Sequence, residues 1–169
     1  MKYFEMLEDP RIQYRYRIES LEWEEKEGKT FGIGYFKGDE ESLPDFIIYK
    51  KHFLASLELK NVMEMYTDEL KFSLVIFNNI ELQMQKEYYS IEAPLVEGLG
   101  EQTTYHKDDS VDKKVLSHKK LQDYKVFRLK ELEPTQFSRP HVFVDLDIVE
   151  SALRRELWGI AFEKTLVEE

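Results

Sequence analysis

Apolar residues in this chain come in short bursts, and no uninterrupted run exceeds four; Leu74–Phe77 (Leu-Val-Ile-Phe) is representative. A helix that spans a bilayer needs about 20 such residues in succession. Bursts of this length instead suit short strands and the single apolar faces of short helices. Many of the bursts are β-branched or aromatic, and the chain holds 11 Phe and 10 Tyr in 169 residues. Such side chains pack well on a pleated surface, so strands should dominate.

The local patterns support this. Residues 2–7 read as a short strand, and Tyr14–Ile18 alternates large and charged residues. Glu27-Gly28-Lys29 reads as a turn before a strand over Thr30–Lys37, in which two glycines mark a weak point or a bulge. Gly38–Pro44 is a polar loop. Phe46–Tyr49 reads as a buried strand, Lys50–Lys60 as a helix by its apolar spacing, and Val62–Tyr66 as a returning strand. Strands are expected over Phe72–Phe77 and Ile80–Gln85, turning at Asn78-Asn79. Another is expected over Tyr88–Val96, with Pro94 confining it to an edge or end. Glu97–Lys114 reads as the least ordered stretch. Lys125–Leu129 is strand-like, and Glu133-Pro134 starts a connection. Val142–Val144 should be a buried strand, followed by a helix capped by Asp145 or Asp147 and closed by Gly159 at C′, then a strand over Ile160–Glu163.

Together these patterns predict an α+β fold: a mixed, largely antiparallel sheet or sheets with two short packed helices. The length fits one domain over 1–169, or two intimately packed halves, 1–70 and 71–169. Residues 46–57 and 142–153 share an apolar pattern that reads as a weak internal repeat of a strand–helix–strand unit. The alternative is coincidence between two strand-to-helix transitions.

Charge narrows the partners. Lys and Arg total 24 against 34 Asp and Glu, a formal net charge of −10. Nucleic acid and anionic membranes are poor partners for such a chain, whereas a basic protein surface is a good one. There are no cysteines, so disulfides and thiolate metal sites are excluded. Glu5, Glu8 and Asp9 interrupt any signal-peptide core, which points to a cytoplasmic address.

Catalytic motifs fail on inspection. Gly28-Lys29-Thr30 resembles the end of a phosphate-binding loop, but Trp23 occupies the position of its first glycine. Gly32-Ile33-Gly34 has Lys37 where a dinucleotide fingerprint needs its third glycine. His52, His106, His118 and His141 are too scattered for ligand pairs, so no metal and no cofactor is expected. Asp145 and Asp147 could serve a cation or a general base, and helix capping explains them more simply. The acidic, aromatic stretch Glu22-Trp23-Glu24-Glu25, with Asp39-Glu40-Glu41 following in sequence, reads as a partner-binding surface: the carboxylates steer a basic partner and the indole anchors it. A solvated loop with Trp23 tucked into the core is the competing reading.

The segment HVFVDLDIVESALRRELWGIAFEK carries a resemblance. With Val144, Ile148, Leu153, Gly159, Ile160 and Phe162 in matching places, it resembles the closing segment of a family of immunity proteins from bacterial polymorphic toxin systems. Phe46–Leu57, Tyr88-Tyr89 and Val126–Leu129 fit the same layout, so the resemblance covers most of 44–164. The family usually carries Ser where this chain has Asp145. The resemblance implies a non-catalytic protein that binds and neutralises a cognate toxin, by covering its surface, and the acidic charge of the chain suits a basic toxin such as a nuclease. The alternatives are a scaffolding or accessory subunit of a bacterial assembly, and a hydrolase built on Asp145, Asp147 and a histidine.

Overall fold

The structure is a computed structural model, and it describes residues 1–133 and 138–169. In chain order the strands are β1 (Tyr3–Glu8), β2 (Arg17–Lys26), β3 (Lys29–Lys37), β4 (Phe46–Tyr49), β5 (His52–Ala55), β6 (Lys71–Asn79), β7 (Met84–Glu92) and β8 (Leu95–Val96). There follow β9 (Thr104–Tyr105), β10 (Val111–Lys113), β11 (Val115–Ser117), β12 (Val126–Leu129), β13 (Phe143–Asp145), β14 (Ile160–Lys164) and β15 (Leu166–Glu168). Helix α1 is Leu57–Tyr66, α2 is the single turn His118–Leu121, and α3 is Leu146–Arg154. A six-stranded sheet runs β2-β3-β6-β7-β5-β4, and a five-stranded sheet runs β14-β1-β13-β12-β8. Pairing is antiparallel except at β3–β6, β8–β12 and β11–β15. The fold is therefore α+β, as the patterning predicts. The six-stranded sheet takes strands from both sides of residue 70.

Three apolar cores follow from strand alternation. One lies between the two sheets, where α1 (Leu59, Val62, Met63) and α3 (Ile148, Val149) meet Phe46 and Phe53 from one side and Met6 and Val144 from the other. A second covers the opposite face of the five-stranded sheet with Tyr3, Leu116, Leu121, Phe127 and Phe143. A third is enclosed by the six-stranded sheet itself, around Phe36, Ile47, Leu54, Phe77 and Tyr88.

That enclosure requires a curled sheet. β2 and β5 are the first and fifth strands in the order, so a flat sheet would set them about 19 Å apart. Yet the Trp23 indole Nε1 on β2 donates to His52 Nε2 on β5 at 3.3 Å. Two glycines of β3 make the curl feasible. A Cβ on Gly34 would stand 2.4 Å from Phe77 Cε1, and one on Gly32 would stand 2.9 Å from Leu21 Cδ1 and 3.3 Å from Trp23 Cζ3. The sheet thus has a concave face packed with rings and a convex face that meets the helices at its β4–β5 end and turns outward over β2, β3 and β6.

Several local expectations are corrected. Lys50–Lys60 is not one helix: β4 and β5 form a hairpin across Lys50-Lys51, and α1 begins at Leu57. The turn lacks a Gly or Asn signal because Lys50 itself takes φ 53°. Val62–Tyr66 continues α1 rather than forming a strand. β6 runs through Asn78-Asn79, and the turn falls at 80–83, where Gln83 takes φ 51°. Asn79 instead braces the loop by donating Nδ2 to the Gly38 carbonyl at 2.7 Å. Gly159 does not close α3; Glu156 takes the left-handed conformation (φ 57°), and Gly159 is needed where its Cβ would fall 2.1 Å from Pro44 Cβ. Between residues 97 and 114 the β9–β10 hairpin forms. Pro134, in the expected connection, lies outside the described residues.

The strand–helix–strand repeat expected over 46–57 and 142–153 is not formed: 46–57 holds the β4–β5 hairpin, whereas 142–153 holds β13 and most of α3. Both α1 and α3 follow directly from a strand through a capping residue. Ser56 Oγ accepts from the Leu59 amide at 3.2 Å, and Asp145 Oδ1 accepts from the Ile148 amide at 3.2 Å. The matching unit is strand, cap, helix, so 53–59 corresponds to 142–148 rather than 46–57 to 142–153.

Buried and half-buried carboxylates tie these parts together. Glu5, 3% exposed, receives Arg139 Nη1 at 2.6 Å, His141 Nδ1 at 2.8 Å and Lys114 Nζ at 3.2 Å. Although burial opposes its ionisation, these partners hold its pKa at about 2 against an ordinary 4.5. Glu8 joins β1 to β4 by accepting from the Ile48 amide at 2.8 Å and from the Tyr16 hydroxyl at 2.9 Å. Asp45 accepts from Ser56 Oγ at 2.6 Å and from the Trp158 amide at 2.8 Å.

Glu5→Gln should lower stability at pH 7 by about 2 kcal/mol in urea denaturation, since it leaves three donors facing a neutral amide. Because the folded pKa of Glu5 is depressed, its contribution is complete above about pH 4.5 and is lost as pH falls toward 2. The acid-side decline in stability should be shallower in the variant, and an unchanged decline would contradict the role assigned to Glu5.

Candidate protein-binding face

Strand registers give a map of the convex face. β2 pairs Glu24 with Phe31, Glu22 with Ile33 and Ser20 with Tyr35. The parallel register of β3 on β6 sets Ile33 beside Ile76 and so Phe31 beside Leu74 and Tyr35 beside Asn78. β6 pairs Leu74 with Tyr89, Ile76 with Glu87 and Asn78 with Gln85. Three rows therefore cross four strands: Glu24-Phe31-Leu74-Tyr89, Glu22-Ile33-Ile76-Glu87 and Ser20-Tyr35-Asn78-Gln85. Alternation puts every member on one face.

The middle of this face is apolar and its two sides are acidic. Phe31, Ile33, Leu74 and Ile76 are half-buried, and Tyr35 is 39% exposed. None of these five joins any of the three cores. Helix α1 reaches only the edge of this face, where Lys60 Nζ lies 5.1 Å from the Phe72 ring centroid and 5.0 Å from that of Tyr89. Lys60 also pairs with Glu64. Glu22 and Glu24 frame one flank in full exposure; Glu87, which accepts from the Tyr89 hydroxyl at 3.3 Å, frames the other. The turn beyond the third row adds exposed Ile80 and Leu82.

The acidic residues singled out from sequence are divided by the fold. Glu22 and Glu24 reach the convex face. Trp23 and Glu25 alternate to the other side, where Trp23 packs its ring on the core within the sheet and on His52, 5.1 Å between centroids. Trp23 thus packs inward and does not stand with Glu22 and Glu24 as an anchor on the convex face. Asp39 precedes the 3-10 turn Glu40–Ser42 and Glu41 lies within it, and both line a cavity of about 410 Å³ with Arg15, Ser42 and Trp158. That turn adjoins the Arg17↔Lys37 end of the β2–β3 pair, about 20 Å along the strands from Glu24. Glu22 and Glu24, Trp23 and Glu25, and Asp39 and Glu41 thus lie in three separate places. Alternation in Phe31–Tyr35 and Leu74–Ile76 was the signal for the apolar middle, and it needed the β3–β6 register to acquire meaning.

The other candidates have structural roles. Asp145 caps α3 and meets Lys125 Nζ at 2.8 Å, and exposed Asp147 meets the same ammonium at 2.9 Å. Both carboxylates raise the pKa of Lys125, chiefly through their hydrogen bonds. Among the described residues no group of His, Asp and Glu is arranged to hold a metal ion, and no helix is long and apolar enough to cross a membrane. His52 accepts from Trp23 through Nε2, so its proton sits on Nδ1 in the neutral ring. Burial first, and Lys50 second, push its pKa below the ordinary imidazole value.

Titration of the histidine ring signals by NMR should therefore find His52 neutral at pH 7, with a midpoint below the usual value. A midpoint above it would mean that the Trp23–His52 contact, and the curl it reports, is drawn wrongly.

Comparison with models of known protein families and with curated proteins finds no match for this chain.

Proposed function

We propose that this chain is a non-catalytic immunity protein that binds and neutralises a cognate bacterial toxin by covering part of its surface. The observation that carries the reading is the convex face: an apolar centre that the chain's own cores leave out, framed by carboxylates on both flanks. An exposed apolar patch with a polar rim is a usual mark of a protein-binding surface. The carboxylates favour a basic partner, speed its approach and disfavour self-association through like charge.

Size is consistent with this role. The three rows span about 15 Å along and 15 Å across the strands. A stable interface buries on the order of 800 Å² per partner, so the toxin would also cover the flanks and the 80–83 turn. Its basic groups would meet Glu22, Glu24 and Glu87 while an apolar or aromatic projection sits on Ile33 and Ile76. The resemblance to immunity proteins of polymorphic toxin systems agrees with this, and a nuclease is a suitable basic toxin.

Co-expression with the toxin domain encoded beside this chain's gene should rescue growth. The triple variant Glu22→Lys, Glu24→Lys, Glu87→Lys should bind that toxin at least about tenfold more weakly, mainly through slower association, while its melting temperature stays within about 3 °C. Failure to protect against every adjacent toxin would overturn the functional reading; full protection by the stable triple variant would overturn the choice of face.

A further inference from the structure

The curl of the six-stranded sheet leaves a recess of about 360 Å³ at the end of its concave side, beside Phe53 and Ile91. Trp23, Thr30, His52, Ser73 and Ser90 line it from the inside of the sheet, Lys51 and Glu92 stand at its rim, and Arg128 enters from β12 of the other sheet. Ser73 and Ser90 face each other across β6 and β7.

The polar side chains here differ from the carboxylates that brace the fold. Elsewhere Glu5, Glu8, Asp45 and Asp145 each hold two or more donors. Among the described residues, by contrast, the side chains of Thr30, Ser73, Ser90, Glu92, Lys51 and Arg128 have no hydrogen-bond or ion-pair partner. Arg128 is the informative member. It is half-buried beside Trp23 and the two serines and has no carboxylate partner. Arginine in that position suits a planar anion that it can grip through two parallel N–H donors. Two cations against the single carboxylate of Glu92 leave the recess net positive in a chain of formal charge −10. The indole of Trp23 supplies an apolar wall beside these donors, and the volume lies at the lower end of the range for small-molecule sites.

We propose that this recess binds a small aromatic carboxylate, its carboxylate on Arg128 and the Ser73 and Ser90 hydroxyls and its ring against Trp23. The same chemistry is presented by a free aromatic acid and by the C-terminal residue of a peptide ending in phenylalanine.

The test uses the full chain carrying Trp158→Phe, which leaves Trp23 as its one indole. Its indole N–H signal and fluorescence are followed during titration with 3-phenylpropionate, with the neutral 3-phenylpropanamide, and with a tetrapeptide ending in free or amidated phenylalanine. A saturable shift with one or both acids is expected, and each amide should bind at least about tenfold more weakly. Arg128→Gln should reduce acid binding by a similar factor, and Arg128→Lys should restore part of it. Which acid binds more tightly distinguishes a free ligand from a chain terminus. Equal binding of acid and amide, undiminished binding by Arg128→Gln, or no saturable change by about 10 mM would each overturn the proposal. The acid–amide comparison needs no variant of Arg128, so a misfolded variant does not weaken it.

Discussion

The contact between Trp23 and His52 sets the geometry on which the rest depends. It joins the first and fifth strands of one sheet through side chains, so the sheet must bend until its concave face closes on Phe36, Phe77 and Tyr88. The bend needs room on β3, and Gly32 and Gly34 provide it by leaving space for Leu21, Trp23 and the Phe77 ring. Once one face of the sheet is filled in this way, alternation sends Phe31, Ile33, Leu74 and Ile76 to the other. The helices α1 and α3 are committed to the space between the sheets and cover the convex side only as far as Phe72 and Tyr89. An apolar strip is left facing outward as a consequence of the packing.

Charge is partitioned in a corresponding way. Glu5, Glu8, Asp45 and Asp145 are internal struts, each engaged by amides, hydroxyls or cations from a distant part of the chain. Removing their partners would leave buried charge uncompensated, which is costly. Glu22, Glu24 and Glu87 have no such structural duty and stand at the flanks of the apolar strip. The acidic balance of the chain therefore serves two purposes that composition alone cannot separate: holding the layers together and giving one surface its sign.

Much of the fold could be read from the residues. The strand bursts at 3–8, 29–37, 126–129 and 143–145 are compact and β-branched or aromatic, and Asp145 sits where a helix needs a cap. The misreadings have physical causes. Phe53, Leu54 and Leu57 have helical spacing, but the chain first makes a hairpin because Lys50 accepts a left-handed conformation without glycine. Asn78-Asn79 looks like a turn pair, yet Asn79 is used to brace Gly38. The candidate surface was half legible. Glu22 and Glu24 could be found as charges, whereas the register of β3 against β6, distant in sequence, had to be known before Ile33 and Ile76 became neighbours. Trp23, next to both glutamates in sequence, lies on the opposite side because side-chain direction in a strand has a period of two.

The central claim is that the convex face is the part of the surface that a partner covers. The most direct measurement is methyl NMR of Ile33, Leu74 and Ile76 with a soluble paramagnetic probe, in the free protein and in its complex with the toxin found by co-expression. The account predicts that the probe broadens these methyl signals in the free protein and that the broadening is largely removed in the complex. Undiminished broadening of all three in a saturated complex, with protection elsewhere, would contradict it.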